Sequence, residues 1–331
     1  MRCQIRIAVC TLLMIACCSG VVFSQTGSDK EFNKALYDEL QTSEDEMVRF
    51  TQTSIQTLME GMQQNVQTKA VAAVMERMKD TSTPMTQEEG MKIGIGVAID
   101  ELIGLQKPIN DKASEFFSEE GRQKMHLRFF QAKTGLMDRL GEIDDLETVQ
   151  TAFGVQMMQL MGGQPDFLEL RPEQSELVTK QLKETSVEAM MLTTQATVKM
   201  ITAHPEKLTE IQRLVGEMQN ADSDEEQERI AKELQAVNGD IFKDIAPELK
   251  TILIKGHEDY MRVMTDAQKA KIKAIMADMP DYMKNKLAEV GKGGGALSLD
   301  SWVPGMGVPG VNPNREAPRQ RSGGGRAFPG N

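Results

Sequence analysis

Histidines are the side chains best suited to acid–base or metal chemistry at neutral pH, and the three in this chain lie far apart: His126, His204 and His257. None stands in an H-E-x-x-H spacing, and none has a matched nucleophile and carboxylate nearby in the sequence. The four cysteines all lie at the amino terminus, at Cys3, Cys10, Cys17 and Cys18. The histidines are therefore expected to have structural or surface roles. The sequence predicts no catalytic site and a protein that is not an enzyme.

Methionine is the residue type with the most unusual pattern, because five pairs of the 24 methionines stand three residues apart. The pairs are Met59 and Met62, Met75 and Met78, Met158 and Met161, Met261 and Met264, and Met276 and Met279. Thioethers are soft ligands that suit Cu(I), so copper handling is one hypothesis. Helical core packing also enriches a spacing of three. A third interpretation is a surface that repacks around varied apolar partners.

Nucleotide cofactors and nucleic acids are poor candidates for ligands. Gly94-Ile95-Gly96 lacks the preceding strand and the third glycine of a dinucleotide-binding fingerprint, so close packing or a bend between helices is expected there. The net charge of −11 repels phosphate backbones. We expect no cofactor, no metal and no nucleic-acid partner.

The amino terminus resembles an export signal over residues 1–24. Arg2 and Arg6 precede an apolar run, Ile7–Ala16, and cleavage is expected before Gln25. The alternatives are lipidation at Cys17 and, less favoured, an uncleaved anchor. The sequence thus predicts a periplasmic or extracellular protein without a stable transmembrane span after cleavage.

Helices are the elements expected to position these side chains, and the longest periodic stretch covers residues 170–203. Its predicted buried stripe consists of Val178, Leu182, Thr185, Ala189, Leu192, Ala196 and Met200. Pro172 suits the first helical position, and Pro205 ends the helix.

A second long stripe is predicted to consist of Ile55, Leu58, Met62, Val66, Ala70, Val74 and Met78. Further helices are expected from Ser118 to Leu140 and over residues 144–161, with a break at Pro108 and a kink at Pro280. The predicted fold is all-α, with long amphipathic helices packed as antiparallel hairpins or a bundle over residues 25–291. A division into two domains is possible near residues 163–169.

The last 40 residues, 292–331, differ in composition from the body. They contain ten Gly and five Pro with almost no aliphatic clusters. Such a segment buries too little apolar surface to offset its ordering entropy. It is predicted to be a disordered tail.

A short phrase recurs near three helix starts: Leu170-Arg171-Pro172-Glu173-Gln174, Leu208-Thr209-Glu210-Ile211-Gln212 and Met264-Thr265-Asp266-Ala267-Gln268. At the third copy, Thr265 is expected to cap a helix while Gln268 bonds back to the cap. The first copy has Arg171 where a Thr is expected, and Thr209 is expected inside a helix. Over residues 170–290 the phrase resembles the L-T-x-x-Q motif of the Spy/CpxP-like family of helical periplasmic proteins.

The resemblance implies an ATP-independent chaperone that binds exposed apolar segments of unfolded or envelope proteins, and it implies no catalytic residue. A homo-oligomer is possible. The alternative hypotheses are a structural or adaptor protein of the cell envelope and methionine-based copper handling.

Overall fold

The computed structural model describes residues 27–79, 85–163, 165–220 and 224–291. The predicted signal peptide at residues 1–24, its lipidation alternative at Cys17 and the predicted tail at residues 292–331 lie outside these ranges. The described residues form helices joined by short connections, without a strand. The predicted all-α fold is therefore confirmed.

Twelve α-helices follow one another in the described chain. They are α1 (Gly27–Leu40), α2 (Glu44–Lys79), α3 (Gln87–Gly104), α4 (Gln106–Phe116), α5 (Glu119–Leu140), α6 (Leu146–Gly162), α7 (Pro172–Ala203), α8 (Pro205–Asn220), α9 (Asp224–Lys243), α10 (Ala246–Val263), α11 (Asp266–Ala277) and α12 (Asp281–Glu289). A short 3-10 helix, Asp166–Leu168, precedes α7. None of the helices in these ranges combines the length and the apolar character needed to cross a bilayer.

The first hairpin consists of α2 and α3, which run antiparallel. Lys69 Nζ lies 2.5 Å from Glu101 Oε1, near the far end of α3. Arg77 Nε, close to the connection, lies 2.7 Å from Glu89 Oε1. Because the partner residue number falls as the α2 residue number rises, the two helices point in opposite directions.

The pairs α8–α9 and α7–α10 show the same arrangement. Arg213 of α8 lies 3.5 Å from Glu233 of α9. Lys207, one turn and a half earlier, pairs with Asp240. In the α7–α10 pair, a Cβ added to Gly256 would lie 2.6 Å from the Oγ1 of Thr185. The glycine at position 256 therefore permits the close approach of α10 to α7.

The helix at the centre of the molecule is α6, which contacts α3, α4, α5, α7, α9 and α10. Its buried residues lie all around the helix and include Ala152, Phe153, Val155 and Leu160. Glu147 is its one charged residue. A helix without a charged face can be buried on every side, whereas a longer amphipathic helix such as α7 keeps one face in water.

The buried face of α7 follows the predicted stripe at its start and then differs from it. Val178, Leu182 and Ala189 are buried as predicted, whereas Thr185, Leu192, Ala196 and Met200 are only half-buried. The positions buried instead in the second half include Thr193, Thr194 and Thr197. Each of these hydroxyls donates to the carbonyl four residues earlier, at 2.6 to 2.8 Å. Threonine can be buried there because the helix itself accepts its hydrogen bond.

Three local predictions need correction. Met78 is 54% exposed, although it was assigned to the buried stripe of α2. On a helix with 3.6 residues per turn, each step of four residues turns the side chain roughly 40° around the helix axis. Three such steps separate Met78 from Val66, so the two side chains point about 120° apart. The break expected at Pro108 lies three residues earlier, at Leu105, where α3 ends and α4 begins. Pro108 itself lies in the first turn of α4, where a residue without an N–H costs no helical hydrogen bond. At Pro280 the chain starts a separate helix, α12, where a kink was expected.

A partly buried ionic group joins α1 to α5 and α12. Arg128 Nε donates to Glu39 at 2.9 Å, and Tyr282 Oη donates to the same carboxylate at 2.6 Å. Burial raises the pKa of Glu39, but the hydrogen bonds from Arg128 and Tyr282, together with the nearby positive charges, outweigh burial and leave that pKa below its ordinary value.

Among the described residues, a hydrophobic core cluster includes residues on both sides of segment 163–169. Leu136 and Leu160 precede the segment, and Val178 and Leu253 follow it. The possible division into two domains stays a prediction.

Candidate functional site

The third copy of the recurring phrase lies at the start of α11. Thr265 Oγ1 accepts a hydrogen bond from the Gln268 amide at 3.2 Å, and Gln268 Oε1 accepts one from the Thr265 amide at 3.0 Å. These two bonds satisfy amides that have no partner within the helix. Met264, which precedes the cap, is buried at 3% exposure.

The first and third copies of the phrase meet through their glutamines, Gln174 and Gln268. We call this pair of side chains the glutamine clasp. Gln174 Nε2 donates to Gln268 Oε1 at 3.0 Å and to the Val263 carbonyl at 3.1 Å. Gln268 Nε2 donates to the Leu168 carbonyl at 3.2 Å. Each glutamine thus reaches the chain that leads into the other glutamine's helix. The clasp joins the starts of α7 and α11 and is a structural element.

The second copy does not take part in the clasp. Leu208, Thr209 and Gln212 all lie inside α8, which begins at Pro205. Thr209 and Gln212 are exposed, and Leu208 is half-buried. In the first copy, the Arg171 amide donates to Gln174 Oε1 at 3.2 Å, while Leu170 packs against the core.

The methionine pairs divide between core and surface. Met158, Met264 and Met279 are buried, while Met261 and Met276 pack partly buried against the core. The side chains of the remaining pair members Met59, Met62 and Met161 lie outside the described part of the structure. Met75 and Met78 are 56% and 54% exposed. Val71, one turn before Met75, is 50% exposed. We call Val71, Met75 and Met78 the α2 stripe.

The histidines have three different surroundings. His204 Nδ1 lies 3.2 Å from Glu206 on the surface, and His257 Nε2 lies 3.0 Å from Asp138 Oδ1. His126 lines a cavity. Among the described residues, no three His, Cys, Asp or Glu side chains gather into a group that could hold a metal ion.

A cavity of about 100 Å³ lies where α2, α4, α5 and α6 meet, and it is partly open to solvent. Its lining is mostly apolar and includes Phe50, Ile109, Met125, Phe129, Phe130 and Met158. The polar lining residues include Ser54, His126, Lys133 and Gln159. An apolar cavity with a few polar groups is the usual form of a small-molecule site.

Lys133 is the exceptional residue of this cavity, because it is a lysine with 3% exposure. Its Nζ donates to Gln159 Oε1 and lies 4.8 Å from the centroid of the Tyr260 ring. Burial lowers the pKa of Lys133 from 10.5 to about 7, because the apolar surroundings disfavour the charged form. Burial also lowers the pKa of His126, and the charge of Arg122 adds to that effect while Asp166 opposes it.

A desolvated lysine of this kind can act as an anion-binding cation, a general base or an amine nucleophile. No sequence motif marks this residue. The signal that could have found it is its position within an apolar stripe, three residues after Phe130 and three before Leu136. Ser54 has the same kind of position, one turn after Phe50.

In comparisons with protein-family models, curated proteins and solved structures, the chain matches none. The resemblance to the Spy/CpxP-like family stays a prediction that depends on the motif residues alone.

Proposed function

We propose that the chain is an exported, non-enzymatic helical protein that binds exposed apolar segments of unfolded or envelope proteins. The observation that supports this function best is the α2 stripe of Val71, Met75 and Met78. Large apolar side chains at spacings of four and three form one continuous strip on a helix. Exposed apolar strips of this kind are typical of surfaces that bind other proteins.

The α2 stripe is available because a different face of α2 packs on α3. Ala70 and Val74 are 2% and 7% exposed, and the ion pairs of Lys69 and Arg77 fix α2 in this orientation. The stripe residues lie beside this packed face. The packing of Ala70 and Val74 therefore leaves the side chains of the strip in contact with water.

Methionine suits a surface that binds varied partners. Its unbranched thioether side chain adopts many conformations and packs against differently shaped apolar groups. The negative net charge of −11 would also favour basic unfolded segments over acidic ones. Adaptable packing suits a chaperone-like binder, because its clients share no sequence.

The experiment compares a stripe variant with a matched control. Val71→Ser, Met75→Gln and Met78→Gln together remove the strip, whereas Leu177→Gln removes an apolar side chain that is 45% exposed on α7. Aggregation of an unfolded client, such as reduced insulin, is followed by light scattering at an equimolar ratio. We expect the wild type and Leu177→Gln to suppress aggregation and the stripe variant to lose most of the effect.

Two results would contradict the proposal. One is a wild-type protein that does not suppress the aggregation of any client tested. The other is a stripe variant that suppresses aggregation as well as the Leu177→Gln control. Circular dichroism of both variants checks that the helical content is unchanged.

A further inference from the structure

The cavity between α2, α4, α5 and α6 has a surface that favours a small apolar molecule. Phe50, Ile109, Met125 and Phe129 contribute aromatic and aliphatic walls from α2, α4 and α5. At about 100 Å³ the cavity is smaller than an engineered apolar cavity of roughly 150 Å³ that holds benzene. It can therefore receive a short chain, or a ring that lies partly in its open side. This site is separate from the α2 stripe and does not depend on the proposed function.

One wall of the cavity holds a hydroxyl with an unmet hydrogen bond. Ser54 is 3% exposed, and its Oγ has no hydrogen-bond partner within the described part of the chain. A buried hydroxyl without a partner has lost its hydrogen bonds to water and has formed none within the protein, which costs about 1 to 3 kcal/mol. A ligand oxygen in the cavity could accept its hydrogen bond.

The second polar group is a buried amine whose charged form has no anionic partner among the described residues. Lys133 has three N–H donors when charged, and its one hydrogen-bond acceptor among the described residues is the neutral amide oxygen of Gln159. No described carboxylate lies within 4.0 Å of its Nζ. A buried charge usually has a partner of opposite charge, so the surroundings of Lys133 are incomplete.

We propose that the cavity binds a small monocarboxylic acid with an apolar body, whose carboxylate accepts hydrogen bonds from Lys133 and Ser54. A carboxylate has two acceptor oxygens and one negative charge, which match the two donors and the one cation. A phosphate lacks an apolar body to pack against this mostly apolar lining, and its second charge would be costly to bury there. The apolar part of the acid would pack against Phe50 and Phe129.

The test uses phenylacetate and its neutral analogue phenylacetamide, which have nearly the same shape. Each is titrated into the purified protein by calorimetry. We expect one phenylacetate per chain and binding of phenylacetamide that is at least about tenfold weaker, the ratio that one charge-assisted hydrogen bond provides. Lys133→Met should lose phenylacetate binding by at least the same factor.

Two further variants separate the site from general effects. Ser54→Ala removes one donor and should weaken phenylacetate binding about threefold to tenfold. Lys107→Met removes an exposed lysine of α4, whose side chain pairs with Asp111 in solvent, and should bind as the wild type does. Circular dichroism and thermal melting confirm that each variant is folded.

Three results would overturn the proposal. The first is equal affinity for phenylacetate and phenylacetamide, which would show an apolar cavity without anion recognition. The second is undiminished phenylacetate binding in folded Lys133→Met. The third is no phenylacetate binding by the wild type at millimolar concentration.

Discussion

Lys133 makes the stability of the protein depend on pH in a direction that can be worked out from its surroundings. Its pKa is about 7 in the folded protein, against 10.5 for an exposed lysine. Between these two values the unfolded chain binds one more proton than the folded chain. Stability therefore rises with pH across this window, and the full cost of burying the charge is present below it.

The size of the effect follows from the same two values. Each pH unit in the middle of the window changes the free energy of unfolding by about 1.4 kcal/mol per proton. Near the folded pKa, about half of the folded molecules are already protonated, so the slope there is smaller. We expect Lys133 to contribute about 2 kcal/mol more stability near pH 9 than near pH 7.

The measurement is urea unfolding followed by circular dichroism at several pH values in this range, for the wild type and for Lys133→Met. The variant should lack the rise. Its absolute stability is less informative, because the substitution also leaves Gln159 Oε1 without its donor. The difference between the two pH curves cancels the contributions of all other titrating groups.

Lys107→Met is the matched control, because Lys107 is a lysine with 82% side-chain exposure. Its pH curve should run parallel to that of the wild type. Parallel curves for the wild type and Lys133→Met would refute the reasoning, since they would mean that the ammonium keeps an ordinary pKa in the folded protein.

Three further predictions concern the scaffold. Gln174→Ala and Gln268→Ala should each destabilise the protein by about 1 kcal/mol and be non-additive in a double-mutant cycle, whereas Gln212→Ala should be near neutral. Additive losses of stability in the double variant would contradict an interaction between Gln174 and Gln268. Gly256→Ala should cost about 1 to 3 kcal/mol in urea unfolding through overpacking, and an unchanged midpoint would argue against the close approach. Glu39→Gln should lower the free energy of unfolding at neutral pH. It should also reduce the loss of stability below pH 4.5, the ordinary pKa of this carboxyl, because in the wild type the contribution of Glu39 is lost as the carboxylate is protonated.

The sequence was most informative where structure depends on neighbours along the chain. Pro172 and Pro205 mark the starts of α7 and α8 because a proline is tolerated in the first helical turn and excluded from later turns. The capping residues Thr265 and Gln268 act over three residues, so their bonds could be expected from the sequence. Helix periodicity likewise identified the buried start of α7 at Val178.

The sequence was least informative where contacts cross long distances along the chain. The hydrogen bond between Gln174 and Gln268 joins residues 94 positions apart, and no local pattern predicts it. Lys133 meets Gln159 of α6 and the ring of Tyr260 of α10, so its burial depends on three helices coming together. Charged residues are normally assigned to solvated faces. By that rule Lys133 is expected on a solvated face, so the sequence does not predict a cavity beside it.

The central position of α6 also bears on how the chain reaches its folded state. Two of its partners, α9 and α10, follow it in the sequence with α7 and α8 in between. Until α9 and α10 have folded against it, the apolar faces of α6 that they cover remain exposed to water. Such non-local contacts form slowly, and apolar surface that is exposed in the meantime favours aggregation. A chain shortened before Ala246 would lack α10 and leave the facing side of α6 uncovered, so we expect it to aggregate more readily than a chain that contains α10.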